Sequence, residues 1–270
     1  MKLLIYIILG IIQGFTEPLP VSSSGHIFLF KNIFNTNIFN DLNFEIVANF
    51  GSFLAILFIF RKDIIELVTS FFKYIFKKKE RKKYKDKFKY CIALIISTIP
   101  VGIVGILLKD FIENKLQNIY FLGFAFLITA LMLFLIRNKN GKKEDKDITY
   151  KDAIIIGLIQ MITVMPGISR SGTVLVACLL CGLSRSSALK YTFILYFPIS
   201  AATMILGVSD IIEAGNLNEL LIPYLSGLVA AGIVTYFTYK WLSDMVKKGK
   251  LWKFSIYCIC LAIFIFIYFR

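Results

Sequence analysis

Six apolar runs, at 43–60, 88–108, 118–136, 191–209, 220–240 and 252–269, are each 18 to 21 residues long. That length matches a hydrocarbon core of about 30 Å. In lipid only a helix or a closed barrel satisfies its own backbone, and continuous rather than alternating apolar runs select helices. Four further runs, 3–12, 27–38, 153–163 and 173–183, are too short to cross. They form two pairs, each interrupted by a polar segment with Gly, Ser and Pro, which is the pattern of a re-entrant hairpin. The composition agrees: 57% hydrophobic, 18% charged, with a mean hydropathy of +0.74. The sequence predicts an all-α polytopic membrane protein with six transmembrane helices and two re-entrant helical hairpins. No cleavable signal pattern is read at the start.

Charge sets the expected orientation. Segment 61–90 nets +8, 137–152 and 184–190 net +2 each, and 240–253 nets +4. Between them, 109–117 nets zero, 210–219 nets −3 and 31–45 nets −1. The positive-inside rule places the first group in the cytoplasm and the second outside. The chain then begins and ends outside, the first hairpin enters from the outer face and the second from the cytoplasm. The basic run FKKKERKKYKDKFKY (76–90) reads as a topogenic loop against anionic headgroups of membrane lipids, not as a nucleic-acid surface. Cys91, Cys178, Cys181, Cys258 and Cys260 lie in or beside apolar runs and read as packing residues.

The sequence also repeats. Gly10–Gly25, GIIQGFTEPLPVSSSG, aligns without a gap on Gly157–Gly172, GLIQMITVMPGISRSG. Gly10/Gly157, Ile12/Ile159, Gln13/Gln160, Thr16/Thr163, Ser22/Ser169, Ser24/Ser171 and Gly25/Gly172 are identical. Each copy is followed by a second half-helix and three spans. Because each half has an odd number of crossings, the copies must be oppositely oriented, an inverted-topology repeat. The expected division is 1–150, with a hairpin at 1–40, and 151–270, with a hairpin at 153–183.

Polar chemistry gathers at the two hairpin breaks. Gln13, Thr16 and Glu17 share one helical face, and Pro18 and Pro20 end that helix. Ser22, Ser23, Ser24, Gly25 and His26 (the only histidine) follow. The second copy brings Gln160, Thr163, Gly167, Ser169, Arg170, Ser171 and Gly172, with Val164 in place of Glu17 and Arg170 in place of Ser23. Arg170 between serines and glycines suits a phosphate, since it offers a donor fork, hydroxyls and close backbone N–H groups at a helix start. Buried ionisable groups in such a chain mark function. The P-loop spacing is absent.

QGFTEPLPVSSSGH and PGISRSG, with FEIVANFGS (44–52), resemble the undecaprenyl-diphosphatases of bacterial membranes, also described as bacitracin-resistance proteins, and the likeness runs over the whole chain. The resemblance implies hydrolysis of the C55 lipid undecaprenyl diphosphate to undecaprenyl phosphate, which recycles the lipid carrier of peptidoglycan synthesis. It implies a bacterial cell-membrane location, an active site facing outside, and a divalent cation, Mg²⁺ or Ca²⁺, with Glu17 as its candidate protein ligand. Bacitracin is then expected to compete for the substrate rather than bind the protein. The family's two acidic positions fall on Gln13 and Glu17, its serine on Ser23, its histidine on His26 and its arginine on Arg170. Gln13 departs from a pair of carboxylates. Ser22, Ser24, Gly25, Gly167, Ser169, Ser171 and Gly172 are read as phosphate-binding, and Gln13, Thr16, Gln160 and Thr163 as lying behind them. His26 as acid/base with Ser23 as nucleophile or positioning group stands beside the reverse assignment. Inverted repeats with broken helices are also a carrier architecture, so an isoprenyl-phosphate transporter is the alternative.

Overall fold

The structure is a computed structural model that describes residues 2–34, 42–108, 111, 116, 118–213 and 217–270. Ten α-helices follow one another among these residues: α1 (Lys2–Thr16), α2 (Ser23–Phe34), α3 (Leu42–Phe76), α4 (Arg81–Leu107), α5 (Ile119–Leu135), α6 (Tyr150–Gln160), α7 (Arg170–Leu180), α8 (Arg185–Glu213), α9 (Leu217–Lys247) and α10 (Trp252–Tyr268). Among the described residues the only β pairing is a single bridge between Lys143 and Leu183. The stretches Asn43–Phe76, Lys78–Leu107, Arg185–Ile205 and Leu220–Lys247 are long and apolar enough to cross a membrane. Helices α5 and α10 have 17 residues each, about 26 Å, at the short end of the spanning range. The chain is an all-α polytopic membrane protein. All six long apolar runs are helical where they are described, apart from single residues at their ends.

One expectation needs correction. The basic run 76–90 is not a loop, because α3 continues to Phe76 and α4 starts at Arg81 after a single 3₁₀ turn, Lys78–Glu80. Aromatic packing explains the extension: Phe88 stacks on Tyr74 at 4.1 Å and on Phe71 at 5.2 Å, and Lys87 pairs with Glu66. The basic segment is therefore a helical hairpin that prolongs two spans.

Helix directions follow from their contacts. Along α1, Gly10 meets Gly227 and Gly14 meets Ala231, so α1 and α9 run parallel. On the other side, Gly157 of α6 packs on Ser97 and Pro100 of α4, and Ser97 Oγ donates to the Ala153 carbonyl at 2.8 Å. Helices equivalent by the repeat face each other in opposed directions. Asn49, Phe60 and Asp63 of α3 meet Tyr196, Phe193 and Lys190 of α8. Gly123 and Ala130 of α5 meet Phe266 and Ser255 of α10. Matching helices thus run antiparallel, and the two short-helix hairpins enter the bundle from opposite ends.

The basic segments gather at one of those ends. Lys190 bridges Asp63 at 2.6 Å and Asp145 at 3.1 Å, while Arg185 Nε donates to the Lys139 carbonyl at 3.2 Å. Thr149 and Asp152 cap α6 reciprocally, and Lys143 pairs with Asp152 at 2.9 Å. Burial works to raise the Asp152 pKa, but the Thr149 N–H and hydroxyl and the Lys143 ammonium outweigh it and hold the carboxyl below its usual range. Of the segments expected at the far end, 35–41, most of 109–117 and 214–216 lie outside the described residues.

At the α1–α9 crossing the backbones approach without side chains between them, a packing that small residues permit in lipid. A Cβ on Gly10 would fall inside the van der Waals radius of the Gly227 carbonyl oxygen. Gly10→Val is expected to destabilise the protein by about 1–3 kcal/mol, read as a lowered thermal midpoint in detergent.

Candidate active site

The two hairpin breaks fold into the same local device. Ser22 Oγ accepts the Gly25 N–H at 3.2 Å, and Ser169 Oγ accepts the Gly172 N–H at 3.1 Å, so each serine caps the helix that follows. Ser22 lies 3.4 Å from Ser24 and Ser169 lies 3.3 Å from Ser171, hydroxyl to hydroxyl. Gly25 and Gly172 are tied to these caps, since a Cβ on either would sit 3.0–3.1 Å from the capping oxygen. Gly167 has φ +86°, a turn conformation that L side chains rarely adopt. Ser171 Oγ donates to the Leu19 carbonyl at 3.1 Å and joins one tip to the other.

Between the tips lies an ion pair. Glu17 Oε1 accepts from Arg170 Nη2 at 3.0 Å. Its other oxygen accepts from Gln13 Nε2 at 3.0 Å and from the Ser23 hydroxyl. Arg170 also donates from Nη1 to Ser200 Oγ at 3.3 Å and lies over the Tyr196 ring at 4.6 Å. Tyr196 donates to Asn49 Oδ1 at 2.9 Å. Only two of the guanidinium's five N–H groups are engaged among the described residues, so the rest remain for an anion.

A cavity of about 930 Å³ opens over this pair. It is lined by Gln13, Glu17, Ser22, Ser23, Ser24, Gln160, Thr163, Ser169, Arg170 and Ser171, together with apolar side chains of α3, α4 and α8. Most of the site residues expected from the sequence thus converge. Thr16, Gly25, Gly167 and Gly172 lie behind the wall and shape it. Thr16 donates to the Ile12 carbonyl and Thr163 to the Gln160 carbonyl, each at 2.7 Å, another pair repeated between the copies.

His26 is placed differently. Its ring is 4% exposed, stacks on Tyr257 at 5.7 Å and meets Phe126 edge-on. Nδ1 lies 2.7 Å from the Ser22 carbonyl, which can only accept, so Nδ1 carries the proton. In the neutral ring Nε2 then accepts from the Tyr257 hydroxyl at 2.8 Å. Both nitrogens are occupied, and the ring does not line the cavity. The carboxylate of Glu17, not the imidazole, touches Ser23.

Tyr196, Asn49, Ser200 and Tyr257 are not among the residues expected from the sequence. For two of these a signal exists, since the 147-residue shift that aligns the motifs also superposes Asn49 on Tyr196 and Phe50 on Phe197. Ser200 and Tyr257 carry no such mark.

Fold and site together define a polytopic membrane protein with an ion pair and a cavity at the meeting of two inverted halves. The chain is 42% identical to "Undecaprenyl-diphosphatase 2" of Bacillus thuringiensis (strain Al Hakam) over 263 residues, 97% of this chain and 96% of the relative. It is 42% identical to "Undecaprenyl-diphosphatase" of Oceanobacillus iheyensis over 97% of this chain and 95% of the relative. "Undecaprenyl-diphosphatase 1" of Halalkalibacterium halodurans is 39% identical over 94% and 91%. Residues 6–264 match the family described as "Bacitracin resistance protein BacA", and the chain belongs to that family.

The His26 contacts give a stability prediction. Tyr257→Phe removes the donor to Nε2 and is expected to cost about 0.5–1.5 kcal/mol. His26→Ala is expected to cost more, because it also frees the Ser22 carbonyl and leaves a void beside Phe126. Thermal unfolding of both variants in detergent checks the order.

Proposed function

We propose that the cavity binds the head of undecaprenyl diphosphate and that Ser23, Glu17 and Arg170 remove its terminal phosphate, yielding undecaprenyl phosphate and inorganic phosphate. The observation that carries this reading is Glu17, whose two oxygens join Ser23 of the first hairpin to Arg170 of the second. Phosphoryl transfer asks chiefly for positioning and charge stabilisation. Arg170 and the N-terminus of α7 supply positive charge at the diphosphate. Ser23 Oγ is the nucleophile and Glu17 takes its proton. The new Ser23 O–P bond forms as the bond from the terminal phosphorus to the bridging oxygen breaks, and the lipid monophosphate leaves. Water then displaces the phosphoryl group, returning a hydrogen to Ser23 as the Glu17 proton departs with the phosphate. His26 acts on this step through the Ser22 backbone that it holds.

A divalent cation, Mg²⁺ or Ca²⁺, fits as a companion of the diphosphate rather than as a resident centre. Glu17 and Glu45 line the cavity, and no cluster of three or more His, Cys, Asp or Glu that could hold a metal occurs among the described residues. One or two carboxylates with phosphate oxygens and water are a usual Mg²⁺ shell. Glu17, with Glu45 if it left its present partner Lys31, would hold the ion, which would neutralise part of the diphosphate charge.

The cavity wall uses the start of α3, the end of α4 and the later part of α8, the helix ends remote from the basic segments. The positive-inside rule therefore puts its mouth on the outer face of a bacterial cell membrane. There the protein recycles the carrier lipid of cell-wall synthesis, and bacitracin meets it as a competitor for the lipid diphosphate. In a cysteine-free background, a cysteine at 118 is expected to react with an impermeant maleimide on intact cells and one at 82 is not. The reverse pattern overturns the orientation.

Arg170→Lys keeps the charge and loses the fork. Loss of one preorganised donor costs about 10²-fold or more, roughly 3 kcal/mol. Phosphate release from the C55 diphosphate by purified variant in detergent, where no compartments exist, is expected to fall by that order with the fold intact. Near wild-type turnover would refute the clamp.

Ser23→Ala and Glu17→Gln are each expected to abolish most turnover. Gln13→Glu should stay within about tenfold of wild type, because Gln13 reaches the reaction only through Glu17. Activity in Ser23→Ala comparable to wild type would remove Ser23 as nucleophile.

A further inference from the structure

Among the described glycines, Gly102 and Gly105 alone have nothing within 4 Å of the place a Cβ would take, counting described neighbours. Glycine is a poor helix former, and here no close contact requires it. Both residues line the large cavity, two and five residues beyond Pro100 in α4, and Pro198, Ile199, Ala202 and Thr203 of α8 line it too.

The equivalent place in the other half is closed. There α9 takes the part of α4, and Gly10 and Gly14 of α1 press directly on Gly227 and Ala231. On the α4 side, α6 touches Ser97 and Pro100 through Gly157 and ends at Gln160, and the 3₁₀ turn that follows, Met161–Val164, also packs on α4. Further along α4, at Gly102 and Gly105, no described neighbour comes as close.

A second observation points into the same space. Gln160 lines the cavity at 0% exposure, and neither its Nε2 nor its Oε1 has a partner among the described residues. Its equivalent, Gln13, is satisfied by Glu17, but the second copy has Val164 at that position. A buried amide without partners is costly and calls for a ligand or water. Gln160 lies one turn beyond the Gly157 contact, at the inner end of the gap.

Resting on the function proposed above, we propose that the gap over Gly102 and Gly105, between α4 and α8, is the slot through which the isoprenyl chain passes from the cavity into the bilayer. The Gln160 amide hydrogen-bonds the diphosphate where chain and head group meet. An apolar chain of this length cannot stay in an aqueous mouth, and an opening between two helices lets the head react while the tail remains in lipid. The two glycines are then specificity residues for a long, branched chain.

The test compares C55 and C15 isoprenyl diphosphates on purified protein in detergent. Gly102→Leu and Gly105→Leu are expected to raise KM for the C55 substrate about tenfold more than for the C15 substrate, with a thermal midpoint no lower than wild type. Equal KM shifts, or none, overturn the slot. A leucine variant that fails to fold overturns it as well, because the space would already be filled. Gln160→Leu is expected to raise the thermal midpoint and to raise KM for both diphosphates about tenfold. A wild-type KM in that variant removes Gln160 from the head-group site. Wild-type protein that releases phosphate from neither substrate overturns both readings, whereas activity on both with equal shifts overturns the slot alone.

Discussion

The salt bridge between Glu17 and Arg170 is the contact on which the rest of this architecture depends. Two charges in an apolar bundle are tolerable chiefly together, since each alone would face a desolvation penalty that its neutral partners offset only in part. Each belongs to a different hairpin, and each hairpin enters the bundle from a different end. Pairing them therefore requires both breaks to meet at one depth. The remaining polar contacts follow from that meeting. Ser171 reaches the Leu19 carbonyl, Tyr196 covers the guanidinium, and Asn49 takes the Tyr196 hydroxyl. Asn49 and Tyr196 are equivalent by the 147-residue shift and bond each other, so the internal two-fold relation passes beside the site.

Duplication built the scaffold twice and the chemistry once. The serine caps, the serine pairs and the threonine back-bonds recur in both copies with nearly the same distances. Four positions that differ lie at the Glu17–Arg170 pair or beside it. Glu17 has become Val164, Ser23 stands where the other copy has Arg170, His26 corresponds to Thr173, and Gln13 is satisfied where Gln160 is not. A symmetric pair of sites would have carried two acids or two arginines near one axis, with like charges opposed. Divergence at a few positions turned that repulsion into one attractive pair with an acidic side and a basic side. Among the described residues nothing approaches Gly102 and Gly105 of α4, whereas in the other half Gly10 and Gly14 of α1 pack directly on α9.

Much of this is legible in the amino-acid sequence, and the reasons are physical. Apolar length marks the spans because a bilayer admits few lengths, and the ungapped repeat implies the antiparallel pairing because odd crossings invert a copy. Glu17 and Arg170 stand out because charge is scarce in such a chain. What is not legible depends on direction rather than identity. The sequence does not say that His26 points away from Ser23, nor that Tyr257, 231 residues later, fills the space behind it. The helical prolongation through Phe76 is masked by its charge, since lysines read as a loop although Tyr74, Phe71 and Phe88 pack a hairpin underneath them. The emptiness beside Gly102 is a property of neighbours, and no local pattern encodes it.

The position of His26 also explains how a buried imidazole without access to the cavity serves it. Ser22 has φ +68°, a left-handed conformation that costs a non-glycine residue about 1–2 kcal/mol. Three contacts hold it there: its hydroxyl caps Gly25, and its carbonyl accepts both the His26 N–H at 3.2 Å and His26 Nδ1 at 2.7 Å. The backbone turn at Ser22 decides where Ser23 begins α2 and therefore where its hydroxyl points. Tyr257, from the last helix of the second half, fixes the ring that fixes the turn. Ser23 is thus aimed at Glu17 from the side by the first hairpin and locked from behind by the second half. Ser23 and Arg170 are oriented toward Glu17 only when both halves are in place.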